Sequence, residues 1–337
     1  MLSVSVVIPA YNCQKYIHQA LQSSLNQAVN EVIVIDDGST DNTQSVVTQI
    51  ESSRLRYIFQ KNQGVSAARN HGIRAAKGQL IAFLDADDYF LPHKIEQQLA
   101  MFSASPELGL VQSGWQRVDE TGHFIAAVTP WKEAPELTLE NWLTFKPVLP
   151  SALMVRREWL QKIGGFDPQL KAAEDVDLVS RLALHGCPCA WLEQVAVSYR
   201  QRDNSAMGNA RVQAQDLAKF LDKFFQQEDL PESVQLLEQS VRYHTLVWAA
   251  WYLQHTGELS AMTQYLKQAW QHSPYLPTEA LIHWMESFSS FSQDWGSPLD
   301  VESLITSTQW QQLVQWLLTD KSVLRKRTNP ILSLQHP

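Results

Sequence analysis

Short apolar runs alternate with helix-like segments over the first hundred residues of the chain. Four runs are rich in Val, Ile and Leu and have the length of strands: Val4 to Ile8, Glu31 to Ile35, Leu55 to Phe59 and Leu80 to Leu84. Continuous apolar runs of this kind are typical of strands buried on both faces of a parallel sheet. The pattern therefore predicts at least four buried strands before residue 90.

Helical spacing of apolar residues fills the segments between these strands. Asn12 is expected to cap a helix that carries Ile17, Leu21 and Leu25 on one face, and Asp41 is expected to cap the next helix. Two further helices are predicted over 66–76 and 92–102. The alternation of strand and helix predicts an α/β fold, a doubly wound, mostly parallel sheet flanked by helices.

The pattern changes twice further along the chain. Residues 105–200 are mixed, and they end in a strand-like run from Val195 to Arg200. Beyond Met207 the apolar residues keep helical spacing and many of the tryptophans occur. We therefore predict a first domain over 1–207 and a smaller, all-α domain over 208–337 that acts as a scaffold or binds a partner.

Composition narrows the function classes. A net charge of −8 disfavours a general nucleic-acid role, since phosphate backbones are bound by basic surfaces. Three cysteines imply neither a disulfide framework nor a zinc site. The start, MLSVSVVIPAYN, has no basic region before its apolar run and is expected to be a first strand rather than a signal peptide. No run of about 18 apolar residues occurs. We expect a cytoplasmic protein, with peripheral association at the inner face of a membrane left open.

Acidic residues follow two of the predicted strands. Asp36 and Asp37 come after the second strand, and Asp85, Asp87 and Asp88 come after the fourth. Ligands of open α/β sheets bind beyond the carboxyl ends of the strands, so these carboxylates are expected at one crevice. Crowded carboxylates favour a hard divalent cation, Mg²⁺ or Mn²⁺, whose coordination a phosphate can complete. The alternative is an ordinary polar turn, because a lone D-x-D pattern is short and common.

Six segments together resemble family 2 glycosyltransferases with the GT-A fold. They are VSVVIPAYN at 4–12, VIVIDDGSTDNT at 32–43, NQGVSAARNHGIRAAKG at 62–78, IAFLDADD at 81–88, GGFD at 164–167 and EDVDLVSRL at 174–182. Each segment is modest alone, but their order and spacing are specific. The resemblance covers about the first 200 residues and implies transfer of a sugar, with inversion, from a nucleoside diphosphate sugar to a hydroxyl group.

The resemblance also implies roles for individual residues. The nucleotide-sugar set consists of Pro9, Tyr11, Asp36, Asp37, Arg69 and Asp85. Asp87 is the better candidate for the metal ligand, and Asp88 is the alternative, because the register of this cluster differs between family members. Arg69 alone could equally be a surface cation on a helix.

The catalytic base implied by the resemblance is Asp175, with Glu174 as a support or an acceptor contact. A carboxylate at this place can accept the proton of the acceptor hydroxyl as the new bond forms. The alternative is that Glu174, Asp175 and Asp177 only favour the start of a helix through its dipole. Trp131 and Trp142 could stack on an acceptor sugar or simply pack in the core.

One position departs from the family's pattern. Many members have a histidine shortly after a Tyr-Arg pair, but here Tyr199-Arg200 is followed by Gln201 and Arg202. A charged arginine cannot ligate a metal, although it can pair with phosphate. We therefore assign no histidine as a metal ligand.

The leading hypothesis is an inverting, metal-dependent hexosyltransferase of cell-surface polysaccharide or glycoconjugate synthesis, with a saccharide, lipid-linked or protein acceptor. A sugar nucleotidyltransferase is the alternative in another enzyme class. It would need a glycine-rich phosphate loop after the first strand, whereas PAYNCQKY has no glycine. A nicotinamide-dependent dehydrogenase lacks its G-x-G-x-x-G motif there. A non-catalytic nucleotide-sugar-binding protein is the third reading, and it predicts loss of the D-x-D or of the base.

Overall fold

The computed structural model describes residues 2–202 and 209–319. The chain forms two compact units, Met1–Gly208 and Asn209–Pro337. No helix in the described ranges has both the length and the apolar character that a bilayer crossing requires.

A single mixed sheet organises the first unit, and within the described residues it has nine strands. The strands are β1 (Val4–Ala10), β2 (Glu31–Asp36), β3 (Leu55–Phe59), β4 (Leu80–Phe83), β5 (Tyr89–Phe90), β6 (Leu110–Val118), β7 (Phe124–Val128), β8 (Leu153–Arg156) and β9 (Cys189–Arg200). Their order is β3-β2-β1-β4-β8-β6-β9-β5, and β7 pairs with β6 outside this path.

The half of the sheet formed by β3, β2, β1 and β4 is parallel throughout. Every residue of β1, β2 and β4 is buried, as their continuous runs of Val, Ile and Leu predict. The four predicted strands are confirmed, with ends that differ by at most two residues, but the expected burial is wrong for β3, which lies at the edge of the sheet and is only partly buried. This half brings the carboxyl ends of β1, β2 and β4 to one edge.

The other half of the sheet is mixed. Strand β8 runs antiparallel to both of its neighbours, β4 and β6, and β9 pairs parallel to β6 and antiparallel to β5. The expected α/β class is confirmed, while the sheet is more mixed than the description "mostly parallel" anticipated. The physical reason is that a local apolar pattern marks a strand but does not specify its direction relative to a partner, so the antiparallel pairing of β8 with β4 and of β5 with β9 has no signal in the sequence.

Helices flank the sheet. They are α1 (Ile17–Leu25), α2 (Thr43–Thr48), α3 (Val65–Ala75), α4 (Lys94–Ala104), α5 (Leu139–Thr144), α6 (Arg157–Lys162) and α7 (Glu174–Leu184), with short 3-10 turns at Pro130–Lys132 and Pro150–Ala152. Helix α3 lies close to β1 because Gly72 faces it: a Cβ at Gly72 would lie 2.2 Å from Cγ1 of Val7. This close approach places the α3 side chains beside the strand ends.

The expected cap of α1 is wrong. Asn12 has a positive φ of 49° and lies before the helix, which begins at Ile17. Its side-chain oxygen instead accepts hydrogen bonds from the backbone N–H groups of Thr40 (2.8 Å) and Asp41 (3.3 Å). Asn12 therefore connects the loop after β1 to the loop after β2.

The described part of the second unit is helical. It contains α8 (Ala210–Phe225), α9 (Glu232–His255), α10 (Leu259–Gln271), α11 (Pro277–Trp295), α12 (Val301–Thr306) and α13 (Thr308–Thr319). Trp251, Trp284 and Trp310 are buried in its core, beside Leu and Ala side chains of α9, α10 and α13. These tryptophans therefore serve packing, and the all-α character expected beyond Met207 is confirmed for residues 209–319.

Candidate active site

Arg69 on α3 joins two of the acidic segments. Its Nη1 lies 2.7 Å from Oε1 of Glu174 at the start of α7, and its Nη2 lies 2.6 Å from Oδ1 of Asp85 after β4. The Arg69 side chain is only 3% exposed. Segments that are about one hundred residues apart in sequence therefore meet at one buried guanidinium.

The GGFD segment holds this arginine from a second side. The Arg69 guanidinium lies over the Phe166 ring, 5.1 Å from its centre. Asn70 donates to the Phe166 carbonyl and accepts from the Phe166 N–H, both at 2.8 Å. A Cβ at Gly165 would lie 2.3 Å from the Asn70 side-chain oxygen, so a glycine is needed for this pairing. Helix α3 and the GGFD segment thus form one rigid support.

The three aspartates after β4 have three different environments. Asp85 pairs with Arg69, and Asp87 forms an ion pair with Arg202. Asp88 accepts a 2.6 Å hydrogen bond from the Ser151 hydroxyl and a 3.0 Å bond from the backbone N–H of Arg200. Asp88 is 1% exposed, so both of its oxygens are engaged inside the protein.

Burial and mutual repulsion perturb this cluster. Burial raises the pKa of Asp88 well above its usual range, and the nearby Asp87 and Asp85 carboxylates raise it further. Burial also raises the pKa of Asp87, while Arg202 opposes this change. The cluster is therefore short of positive charge in its ionised form.

Arg200, at the end of β9, fixes the loop that carries these aspartates. Its Nε donates to the Asp87 carbonyl at 3.0 Å, and its Nη2 donates to the Gln19 side chain at 2.7 Å. Its Nη1 donates to the carbonyls of Asp119 and Glu120. Every nitrogen of this buried guanidinium is engaged, so Arg200 has a structural task.

Asp175 lies one residue into α7, next to Glu174, and its side chain is half-buried. Burial raises the pKa of Asp175 to about 7, and the adjacent Glu174 carboxylate contributes; the Val176 N–H and Arg69 act in the opposite direction. A partly exposed carboxyl group with this pKa is suited to accept a proton at neutral pH.

The start of α7 is anchored by Arg181, one turn further along. Arg181 pairs with Asp177 at 2.5 Å and donates to the carbonyls of Ile163 and Gly165 at 2.8 and 2.7 Å. The acidic first turn therefore has a structural component as well, since Asp177 faces Arg181. Asp175 forms no such ion pair in the described residues, which leaves its carboxylate available.

Asp36 and Asp37 shape the other side of the crevice from buried positions. Asp36 accepts from the Ser39 N–H at 2.8 Å and from the Tyr57 hydroxyl at 2.6 Å. Asp37 accepts from the side chain of Gln60 and from the N–H groups of Gln63 and Gly64, at 2.7 to 2.8 Å. These contacts fix the loop that leads into α3.

Pro9 is buried in β1, whereas Tyr11 is 53% exposed just beyond that strand. The residues predicted to bind the nucleotide thus include the exposed ring of Tyr11 at the end of β1 and several buried groups that support the loops around it.

Trp142 is fully buried and packs in the core, so it offers no face to an acceptor sugar. Trp131 lies against Trp191, with ring centres 6.2 Å apart.

Ser151 belongs to the site although no sequence motif contains it. Its hydroxyl also accepts the N–H of Asp85 at 3.0 Å, so one side chain connects Asp85 with Asp88. Ser151 lies in the 3-10 turn before β8, in a segment that matches none of the six motifs, and no local signal distinguishes it. Asn70 lies inside a motif, but its pairing with Phe166 depends on the tertiary fold.

Two of the three carboxylates after β4 are suited to bind a hard divalent cation. Among the residues that the structure describes, no three His, Cys, Asp or Glu side chains form a ready-made metal site. The side chains of Asp85 and Asp87 remain 26% and 18% exposed, and carboxylate oxygens are the ligands that Mg²⁺ and Mn²⁺ prefer. Asp87 and Asp85 therefore have the ligand type and the exposure that a divalent cation needs. Asp88 does not, because both of its oxygens already accept hydrogen bonds within the protein.

Comparison with known proteins gives a family match in the first unit. Residues 5–164 match the family described as Glycosyl transferase family 2. An uncharacterized glycosyltransferase of Nostoc sp. is 34% identical over 178 residues, which are 50% of this chain and 55% of that protein. The chondroitin synthase of Pasteurella multocida is 34% identical over 184 residues, 53% of this chain and 19% of that protein. The chain thus spans about half of the first relative and a smaller part of the second.

Solved structures share the fold at low sequence identity. S. aureus TarS 1-349 in complex with UDP-GlcNAc has a TM-score of 0.63 at 20% identity, covering 88% of this chain and 93% of that chain. The mannosyltransferase PcManGT from Pyrobaculum calidifontis, in complex with GDP-Man and Mn2+, has a TM-score of 0.60 at 19% identity, covering 95% of this chain and 88% of that chain. The expected GT-A type of fold is confirmed, and residues 5–164 of this chain resemble glycosyl transferase family 2.

Proposed function

We propose that the chain is an inverting, metal-dependent hexosyltransferase that moves a sugar from a nucleoside diphosphate sugar to a hydroxyl acceptor in polysaccharide or glycoconjugate synthesis. The observation that carries this proposal is the double ion pair of Arg69 with Asp85 and Glu174. It connects the D-x-D loop to the helix that begins with Glu174 and Asp175. The family match and the relatives support the glycosyltransferase part of this proposal.

Asp175 acts as the base in this proposal. It accepts the proton of the acceptor hydroxyl while the new oxygen–carbon bond forms at the anomeric carbon and the bond to the diphosphate breaks. Attack from the face opposite the leaving group inverts the anomeric configuration. A pKa of about 7 keeps a substantial fraction of Asp175 ionised at neutral pH and leaves it basic enough to take a proton.

A divalent cation, Mn²⁺ or Mg²⁺, would be held by Asp87 and would neutralise the charge that develops on the leaving diphosphate. We favour Asp87 over Asp88 because both Asp88 oxygens accept hydrogen bonds within the protein. Asp85 is then the partner on the nucleotide side, kept in position by Arg69. Glu174 is assigned a supporting role, since its carboxylate faces Arg69.

Donor binding is assigned to the crevice beyond β1, β2 and β4. Tyr11 offers an exposed ring beside the buried Pro9, and Asp37 holds the loop of Gln60 and Gly64 that borders the base and ribose. Arg69 is buried, so it acts on the nucleotide through Asp85 rather than by contact. We assign the helical unit a role as scaffold or partner-binding domain and expect the protein to work in the cytoplasm.

A donor panel tests this function. Release of nucleoside diphosphate from UDP- and GDP-sugars is measured with and without MnCl₂ for the wild type, Asp87→Ala and the control Asp229→Asn, an exposed aspartate of the helical unit. We expect manganese-dependent release that Asp87→Ala lowers at least about 100-fold and that the control retains. Equal turnover without manganese, or in Asp87→Ala, would refute the metal assignment.

A further inference from the structure

Two arginines close the D-x-D loop from the end of β9, and they differ in how their donors are used. Arg200 is buried, and each of its guanidinium nitrogens donates to a carbonyl or to Gln19. Arg202 is 25% exposed, and its Nη2 forms the ion pair with Oδ2 of Asp87. Only Arg202 can change partners without breaking a buried network.

The environment of Arg202 keeps it beside the site. Its guanidinium lies over the ring of Tyr16, 5.2 Å from the ring centre. Its Nε is buried and has no hydrogen-bond acceptor among the residues that the structure describes. A buried donor without an acceptor is unfavourable, so this arrangement leaves Arg202 with a hydrogen bond still to be made.

Arg202 and a divalent cation compete for the same carboxylate. Asp87 carries one negative charge, and two cationic groups in direct contact with it would repel each other strongly in a partly buried site. A cation bound by Asp87 therefore displaces the Arg202 guanidinium. The displaced group has several free donors, whose planar arrangement matches a phosphate oxygen pair.

We propose that Arg202 is a binding residue for the donor's diphosphate. It neutralises Asp87 in the free protein and moves to the diphosphate when a divalent cation takes its place on Asp87. This inference rests on the proposed function, because it assumes that the diphosphate arrives beside Asp87. The cation and the nucleoside diphosphate are therefore expected to bind cooperatively. The cation releases Arg202 for the diphosphate, and the diphosphate draws Arg202 away from Asp87.

The test compares the wild type with Arg202→Ala and with Arg202→Gln, which keeps most of the side-chain length over Tyr16. Binding of MnCl₂ alone is measured by electron paramagnetic resonance, and binding of UDP and GDP with saturating MnCl₂ is measured by calorimetry. Both variants are expected to bind manganese alone about fivefold more tightly, because Asp87 loses its competitor. They are expected to bind the nucleoside diphosphate about tenfold more weakly, because a charge-assisted contact is lost.

The opposite signs of these two effects separate the proposal from a merely structural role, which would weaken both. Arg211→Ala is the matched control, since it removes an arginine from an ion pair with Glu258 in the helical unit. Unchanged or weaker manganese binding in both variants would overturn the inference, and so would unchanged binding of the nucleoside diphosphate. A wild type that binds no nucleoside diphosphate would instead refute the proposed function, and the manganese measurement would still report on the competition at Asp87.

Discussion

Replacement of Arg69 by methionine tests whether one buried guanidinium holds the site together. Methionine keeps much of the apolar stem and its contact with Phe166, but it leaves Asp85 and Glu174 without their counter-ion. Removing one partner of a buried ion pair costs about 3–5 kcal/mol, since the remaining charge is left uncompensated. The Asp85 side chain is 26% exposed and regains some hydration, whereas Glu174 is 10% exposed. We therefore expect a loss of about 3 kcal/mol at neutral pH, mostly from Glu174.

The pH dependence of this loss has a defined sign. Burial already raises the pKa of Glu174, and Arg69 opposes that change. Without Arg69 the pKa of folded Glu174 rises further above its unfolded value, so the penalty grows as pH increases above the unfolded pKa and fades in acid. The double variant Arg69→Met/Glu174→Gln is expected to regain about half of the loss, because the amide carries no charge.

The assay is urea unfolding of the whole chain, followed by circular dichroism at about pH 5 and about pH 7.5. The matched control Arg211→Met breaks an exposed ion pair with Glu258 and is expected to leave the midpoints unchanged. A loss below about 1 kcal/mol at the higher pH, or no recovery in the double variant, would refute the argument that Arg69 is the central counter-ion.

Three further predictions concern the base, the core and one close packing contact. Since Asp175 must be ionised to accept a proton and its pKa is about 7, kcat/KM should rise through about pH 7, and a flat profile would contradict its role. Lys94 is fully buried, and burial lowers its pKa to about 7 from 10.5, so wild-type stability should rise between these pH values. Lys94→Met should then raise the free energy of unfolding in urea by about 3 kcal/mol at pH 7, and this gain should disappear towards pH 10.5. An equal gain at both pH values would be inconsistent with a charge effect. Gly72→Ala should lower the free energy of unfolding by about 1–3 kcal/mol, because the new methyl group would clash with Val7. An unchanged melting temperature would contradict this prediction and would mean that β1 shifts to make room.

The parallel half of the fold was predictable because its strands are coded locally. A run such as Val4 to Ile8 is apolar at every position except Ser5, and such runs need burial on both faces. The insertion of β8 between β4 and β6 was not predictable in the same way. That pairing joins Ile81 to Val155, and nothing local in either segment specifies a partner so distant in the chain.

The candidate site shows the same division. Asp85, Asp87 and Asp175 lie in motifs whose order and spacing are visible in the sequence. The contacts that distinguish the roles of the aspartates form only in the tertiary structure. Ser151 donates a hydrogen bond to Asp88, and Arg202 forms an ion pair with Asp87. The capping role expected of Asn12 failed for a similar reason, because its side chain found N–H groups in the next loop rather than in its own helix.

The anomeric configuration of the released sugar tests the central claim most directly. An α-linked UDP- or GDP-sugar from the donor panel is incubated with the protein and MnCl₂, with water as the acceptor, and the product is followed by proton nuclear magnetic resonance before mutarotation. We predict that the wild type first releases the β-anomer and that Asp175→Asn lowers its formation by about 10²–10⁴-fold. Release of the α-anomer, or undiminished release by Asp175→Asn, would contradict inverting transfer with Asp175 as the base.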